Sequence, residues 1–472
     1  MTTNRLKHTE PSSTVPPKKV TEGSDTIEAR ALESLSADQS AFEDKTPETY
    51  SPFPVQLMEL VVDDSNMLKA WSKVKANKGA PGPDGITLDA FIESFRHQWP
   101  TVRQELLDGT YQPSPARRKA IPKQDGSFRN LGIPNVVDRL IQQSILQVLT
   151  PIFDPGFSES SFGFRPKRSA HGAIKQVQLH IRSGYRHCVD MDLSKFFDRV
   201  NHSVLLARVS RKVSDQRLLR LISRYLRAGV MVDFQWEPST EGTMQGGPLS
   251  PLLANILLDD FDKELEKRGL RFVRYADDFL VFTKTEKAAE RVFQSVERYL
   301  TCKLKLVVNH EKSRVCSTKG LEFLGYQFTG YSGHYDVSPK NIKKFKERVG
   351  EITRRNRGIS MSQRLQTLNW YLRGWCNYFS LVEIKTFYVN LDKWVRHRIR
   401  ACYWKQWRKT GARARNLMKL GLSREDAVPL ASSSRGPWFM SKCRSVERAL
   451  NNDYLAERGL VSLYEIWKAT RS

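Results

Sequence analysis

The chain has 472 residues, 40% hydrophobic and 27% charged, which is enough for well-buried cores over several domains and excludes a peptide-scale or wholly disordered protein. Lys and Arg number 76 against 51 Asp and Glu, a formal charge of +25, and such an excess favours a polyanionic partner. No run of about 18 apolar residues and no apolar N-terminal stretch is present, so a soluble, intracellular protein without membrane spans or a secretory leader is expected.

Residues 1–54 are rich in Ser, Thr, Pro and Glu and poor in aromatics, the composition of a disordered tail. From Val55 regular structure is expected. MLKAWSKVKANKG has helical periodicity ending at Gly79, and PGPDGIT follows as a loop. RKAIPKQDGSFRNLGIP reads as a basic hairpin turning at Asp125-Gly126. NVVDRLIQQSILQVLTPIF places Val136, Leu140, Ile141, Ile145 and Leu149 on one helical face, with Pro151 closing the helix. HCVDMDLSKFF is a strand running into a turn. PLSPLLANILLDDFDKELEKRG is a long helix with Pro248 and Pro251 near its start, and RFVRYADDFLVFTKT is two strands with YADD at the bend. Helices alternating with strands that turn back on each other predict an α+β fold.

After about residue 335 the pattern becomes helical and basic. Residues 331–472 hold 29 Lys and Arg against 11 Asp and Glu, together with seven of the ten tryptophans. Six scattered cysteines (Cys188, Cys302, Cys316, Cys376, Cys402, Cys443) without a close pair predict reduced, mostly buried thiols rather than a zinc site.

Chemistry is concentrated in two places. Asp190 and Asp192 lie on one face of an otherwise apolar strand, and Asp277 and Asp278 sit at a bend between apolar strands. Carboxylates in such surroundings are costly unless paired or bound to metal. Hard oxygen ligands at strand ends suit Mg²⁺, and two such ions would stabilise attacking and leaving oxygens in phosphoryl transfer.

The blocks GAPGPDGIT, RRKAIPKQDGSFRNLGIPNVVDRLIQQ, FGFRPKRSAHGAI, VDMDLSKFFDRV, GTMQGGPLSPLLANILLDD, RYADD, NHEKSRV and EFLGYQF follow in order. Together they strongly resemble the reverse transcriptase encoded by bacterial group II introns, and LNWYLRGWCNYF resembles that family's maturase domain. The C-terminal segment resembles members that lack the HNH endonuclease.

The resemblance implies a right-hand polymerase, with fingers and palm over 55–334, a helical thumb and maturase domain over 335–430 and a short basic segment over 431–472. It implies RNA-directed DNA polymerase activity with two Mg²⁺ ions, splicing of the intron RNA, and retrohoming by target-primed reverse transcription. Implied partners are group II intron RNA, an RNA template with a DNA primer, target DNA and deoxynucleoside triphosphates, in the bacterial cytoplasm and away from membranes. A splicing-only RNA chaperone and a free-standing reverse transcriptase used in DNA repair or defence are the alternatives.

Residue by residue, the resemblance makes Asp192, Asp277 and Asp278 the catalytic, metal-binding carboxylates, with the Leu193 carbonyl a further ligand and Asp190 a supporting carboxylate. Lys123 and Arg129 match residues that grip the triphosphate. Phe197, with Phe196 as the neighbouring alternative, matches the ring that excludes a 2′-hydroxyl. Gln245 with its following glycines approaches the template–nucleotide pair, although Met244 stands where many relatives place proline. Lys312 matches a lysine that protonates pyrophosphate, and Arg165 supports nucleotide or template. From charge and helical spacing, Arg396, Arg400, Lys405, Arg408 and Lys409 are candidate RNA contacts, Arg396 and Arg400 being four apart on one face. Trp404 and Trp407 are expected to anchor that helix in the core.

Overall fold

The computed structural model describes residues 56–471 except 123–125, 127, 233–234 and 238, so the expected tail and Lys123 lie outside the described residues. The strands are β1 (Ala116–Pro122), β2 (Phe128–Ile133), β3 (His187–Met191), β4 (Val230–Val232), β5 (Gln235–Glu237), β6 (Arg271–Tyr275), β7 (Asp278–Thr283), β8 (Arg314–Ser317), β9 (Glu322–Phe323), β10 (Tyr326–Phe328) and β11 (Tyr335–Val337). The described chain divides into two compact units that interleave in sequence and cut across the expected boundary at residue 334. One comprises the described residues of Met1–Phe157, Lys195–Asp259 and Leu304–Val307, the other those of Ser158–Ser194, Asp260–Lys303 and Val308–Ser472.

The first unit is built on the helix Val136–Phe153. Val136, Leu140, Ile141, Ile145 and Leu149 are buried as their spacing requires, and Asp138, Arg139, Gln142, Gln143 and Ser144 are buried too, so the helix is enclosed on nearly all sides. Each buried polar group there needs a partner. Asp138 accepts from the Tyr111 hydroxyl at 3.0 Å, the Tyr225 hydroxyl at 3.2 Å and the Ser114 amide at 3.3 Å. The helix continues past Pro151 to Phe153, contrary to the expected stop. A proline in the last turn removes one hydrogen bond without breaking the turns before it. The sheet of this unit has the order β2-β1-β4-β5, and its β1–β2 hairpin is antiparallel with Ile121 opposite Arg129. One short parallel pairing, Ala116 with Val230 and Arg117 with Met231, joins β1 to β4.

The second unit holds a four-stranded antiparallel sheet in the order β6-β7-β3-β8 and a three-stranded sheet β11-β10-β9. Beyond them come the helices Pro339–Ile352, Met361–Tyr378 and Lys385–Gln406 and a series of shorter helices. One core runs through all of it, from Ile174 and Leu280 through Phe345, Leu368 and Trp404 to Leu463 and Trp467. Met440, Val446, Leu455, Leu463 and Trp467 of the expected C-terminal segment belong to that same core. Asp392 fastens that segment, accepting from the Ser462 hydroxyl at 2.6 Å and the amides of Leu463 at 2.8 Å and Tyr464 at 3.1 Å, which caps the terminal helix Leu463–Ala469.

Burial pushes the Asp138 carboxyl up from 3.8 to about 7, and the hydrogen bonds from Tyr111, Ser114 and Tyr225 offset only part of that. A raised carboxyl binds a proton more tightly folded than unfolded. Its contribution to stability is complete below pH 3.8 and is lost as pH rises through about 7. Asp138→Asn should remove this component, so thermal melting of the variant should depend less on pH across that window than the wild type. Parallel pH dependences for the two proteins would refute the assignment.

Candidate active site

The second unit brings the acidic residues together through strand register. On β3, Asp190 lies opposite Leu280 and Met191 opposite Phe279 of β7, and the register continued by one residue sets Asp192 against Asp278. Directly opposed side chains of an antiparallel pair stand about 5 Å apart at Cβ. β6 and β7 form a hairpin in which Tyr275 pairs with Asp278, leaving Ala276 and Asp277 as a two-residue bend. Ala276 has φ +59°, a left-handed conformation that few residues other than glycine adopt readily. The Gly163 backbone passes so close that a Cβ there would fall inside contact distance of the Ala276 amide. FGFRP therefore serves the bend through its glycine.

The strand on the other side supplies cations. Arg314 of β8 pairs with Asp190 in register and its Nε donates to Asp190 Oδ2 at 3.4 Å. Lys312 Nζ stands 3.8 Å from Asp192 Oδ2. Two residues that sequence reasoning passed over complete the frame. Asn309 Nδ2 donates to Asp192 Oδ2 at 3.0 Å, and Asn309 N donates to the Asp192 carbonyl at 2.9 Å. The Ser313 hydroxyl accepts from the Asp192 amide at 3.0 Å. Both lie in the NHEKS stretch noticed for Lys312 alone. Leu193 is buried, and its backbone bridges Val308.

Asp278 keeps its side chain open to solvent, yet crowding by protein and the charges of Asp277, Asp192 and Asp190 push its carboxyl up to about 7, with Lys312 opposing. Burial likewise raises Asp190. Among the described residues, no group of three or more His, Cys, Asp or Glu side chains is placed to hold a metal ion. The donor set nevertheless fits a hard divalent cation: carboxylate oxygens under mutual repulsion, which a cation would relieve. An open arrangement suits Mg²⁺, which keeps several waters and shares ligands with substrate phosphates.

The first unit contains a cleft of about 490 Å³ lined by Arg118, Asn130, Phe197, Asp198, Glu241 and Gln245, among others. Phe196 is buried at 3% exposure, whereas the adjacent Phe197 borders the cleft. The Thr243 amide donates to the Phe197 carbonyl at 2.6 Å and fixes the ring's backbone. The Gly132 amide donates to the Gln245 carbonyl at 2.7 Å, and Gly246, with φ +117°, lies against the Gly132 carbonyl with no room for a Cβ. Gly246 thus admits the chain's own strand β2, and Gly247 the Gln142 side chain. Met244 covers Gly132 in the same way. Arg129 is exposed, and the cations lining the cleft are Arg118 of β1, Lys195 and Arg199, with Arg118 paired with Glu237 at 3.0 Å.

Two expected nucleic-acid contacts are turned inward. Arg165 is 8% exposed and its Nη1 donates to the carbonyls of Ser158 at 2.5 Å and Ser161 at 3.0 Å, so it holds its own loop. Arg400 is 1% exposed and bonded to Glu447 and the Leu450 carbonyl, each at 2.8 Å. Spacing placed Arg396 and Arg400 together without revealing which side of the helix faced the core. Arg396 is half-buried, 4.0 Å from Asp392, while Lys405, Arg408 and Lys409 are exposed. Lys405 lines a basic cavity of about 450 Å³ with Arg354, Arg355 and Arg398. Trp404 is fully buried, as its anchoring role requires.

Residues 121–328 match the model of the reverse transcriptase (RNA-dependent DNA polymerase) family, and residues 342–421 match the group II intron maturase-specific domain. Protein YkfC of Escherichia coli is 33% identical over 321 residues, covering 59% of this chain and 84% of the relative. The chain belongs to the group II intron reverse transcriptase–maturase family. The group II intron-encoded protein LtrA of Lactococcus lactis is 32% identical over 326 residues, and the match spans 54% of each chain. The nuclear intron maturase 2 of Arabidopsis thaliana is 25% identical over 194 residues, covering 33% of this chain and 26% of that protein. All four acidic positions, Asp190, Asp192, Asp277 and Asp278, fall inside the reverse transcriptase match, and Arg396, Arg400, Lys405, Arg408 and Lys409 fall inside the maturase match.

A protonated Asp278 cannot ligate a cation, so divalent-metal affinity should tighten as pH rises through about 7. Lys312→Met should move that midpoint to higher pH, because it removes the cation opposing the rise. Mn²⁺ titration followed by electron paramagnetic resonance over the range of about pH 6 to 8 checks both. A pH-independent affinity would contradict the role of Asp278.

Proposed function

We propose that this chain copies RNA into DNA at the β3 and β6–β7 carboxylates and that its helical maturase region binds the parent intron RNA, promoting splicing and target-primed retrohoming. The observation that carries this is the acidic cluster: β3 and β7 pair as far as Met191 and Phe279, next to Asp192 and Asp278, and crowding by protein together with the charges of Asp277, Asp192 and Asp190 pushes the Asp278 carboxyl up to about 7. A site retired from catalysis has no physical reason to keep that repulsion, which weighs against a splicing-only chaperone.

Asp192, Asp277 and Asp278, with the Leu193 carbonyl, would hold two Mg²⁺ ions. Such ions supply electrostatic stabilisation of the attacking and leaving oxygens. Asn309 and Ser313 orient Asp192, and Lys312, 3.8 Å from Asp192 Oδ2, would serve as the acid for departing pyrophosphate. Phe197 restricts the sugar by volume, since a ring beneath C2′ leaves no space for a hydroxyl. Arg118, Arg129 and Lys123 supply cations for the triphosphate, neutralising charge that grows on the leaving group. Lys405, Arg408 and Lys409 face solvent and are the residues of that helix's end able to pair with phosphates. Partners are therefore intron RNA, template RNA with DNA primer, target DNA and deoxynucleoside triphosphates. No helix of the described residues is long and apolar enough to cross a membrane.

Asp277→Asn should abolish Mg²⁺-dependent extension of a DNA primer on an RNA template while leaving the melting temperature near wild type, because an amide of the same shape cannot supply the charge. Undiminished synthesis would remove Asp277 from the mechanism. Phe197→Ala should raise ribonucleotide incorporation, measured as the ratio of kcat/KM for the two sugars, whereas Phe196→Ala should act mainly on stability. Neutralising Lys405, Arg408 and Lys409 together should lower the slope of log affinity for intron RNA against log salt by roughly 2. An unchanged slope would move the RNA contacts elsewhere.

A further inference from the structure

We infer that Arg274, locked by Asp262, is a positioning residue that sets the Ala276–Asp277 peptide and thereby the cation affinity of the bend. This rests on assigning the carboxylates to polymerase metal binding. Arg274 lies on β6, two residues before Ala276, and it and Asp262 are both 0% exposed, so neither touches substrate. Arg274 Nε donates to Asp262 Oδ1 at 2.8 Å and Oδ2 at 3.0 Å, and Nη2 donates to Oδ2 at 2.6 Å. The remaining corner of the guanidinium, Nη1, donates to the Ala276 carbonyl at 2.9 Å.

That carbonyl belongs to the peptide joining Ala276 to Asp277, so fixing it fixes the plane from which the Asp277 side chain departs. Alanine has no side chain able to hold its own left-handed φ of +59°. The restraint comes from Arg274 on one side and from the close Gly163 backbone on the other. Arg274 is itself immobilised, since its amide donates to the Ser160 carbonyl and its carbonyl accepts from the Phe162 amide, both at 2.9 Å.

A core-filling role alone does not account for these residues. Packed hydrophobic side chains replace a buried ion pair at no loss of stability in many proteins. What the pair supplies and hydrophobic side chains cannot is a rigid planar donor aimed at one carbonyl. A lysine would pair with Asp262 but could not hold both it and Ala276 in this fork.

The test uses the full chain with Arg274→Lys and with the double change Asp262→Leu, Arg274→Met, which removes both charges and leaves neither buried alone. Thermal melting reports folding, Mn²⁺ binding by electron paramagnetic resonance without nucleotide reports the bend, and a Mg²⁺ titration of primer extension reports function. The expected result is a double variant that melts near wild type and yet binds Mn²⁺ about 10- to 100-fold more weakly. Its half-saturating Mg²⁺ for extension should rise in step, with KM for the nucleotide at saturating Mg²⁺ little changed. Wild-type Mn²⁺ affinity in both variants, or a loss that only tracks unfolded protein, would overturn the proposal. Asp277→Asn is the control: if it binds Mn²⁺ like wild type, the assignment of the carboxylates to metal fails, and the positioning claim is not what has been refuted.

Discussion

Everything at the candidate active site follows from crowding negative charge where strands end. Asp190, Asp192, Asp277 and Asp278 bring like charges together, and crowding by protein with those charges raises the Asp278 carboxyl while burial raises Asp190. The Asp278 carboxyl is pushed up to about 7, and Lys312 and Arg314 stand beside the cluster. The same arrangement is one that a divalent cation would relieve. The surrounding sheet keeps the charges from drifting apart: β3 is the central strand between β7 and β8, hydrogen-bonded on both sides, with Cys188, Val189 and Met191 buried around its acidic positions.

Much of this was legible in the sequence because it is local. YADD between two apolar runs can only be a bend between strands, and the alternation in VDMD puts its two aspartates on one face. The contacts that hold these residues were not legible, because they join distant segments through ordinary residue types. Asn309 reaches Asp192 across 117 positions of sequence. Gly163 matters to the Ala276 bend only because two backbones pass within contact distance. Helix orientation was equally hidden. Arg400 follows the same periodicity as Arg396 but turns into the core, since an arginine with Glu447 and a carbonyl to bond can be buried as well as a leucine. Trp404 obeyed the simple rule and is buried.

The basic half separates two uses of arginine. Arg364 and Arg400 are buried and satisfy carbonyls at helix ends, Arg364 donating to Ile352 at 2.6 Å and Arg354 at 2.8 Å. Lys405, Arg408 and Lys409 face solvent. The excess charge of residues 331–472 therefore overstates the surface available to RNA, because part of it works as internal hydrogen-bond donors.

The most direct test of the central claim is anomalous diffraction from crystals of the full chain with an RNA template, a DNA primer and a non-hydrolysable nucleotide, soaked in Mn²⁺. The account predicts two manganese peaks about 3.5–4 Å apart, ligated by Asp192, Asp277 and Asp278. Manganese bound elsewhere, or none at these carboxylates with nucleotide in place, would contradict it.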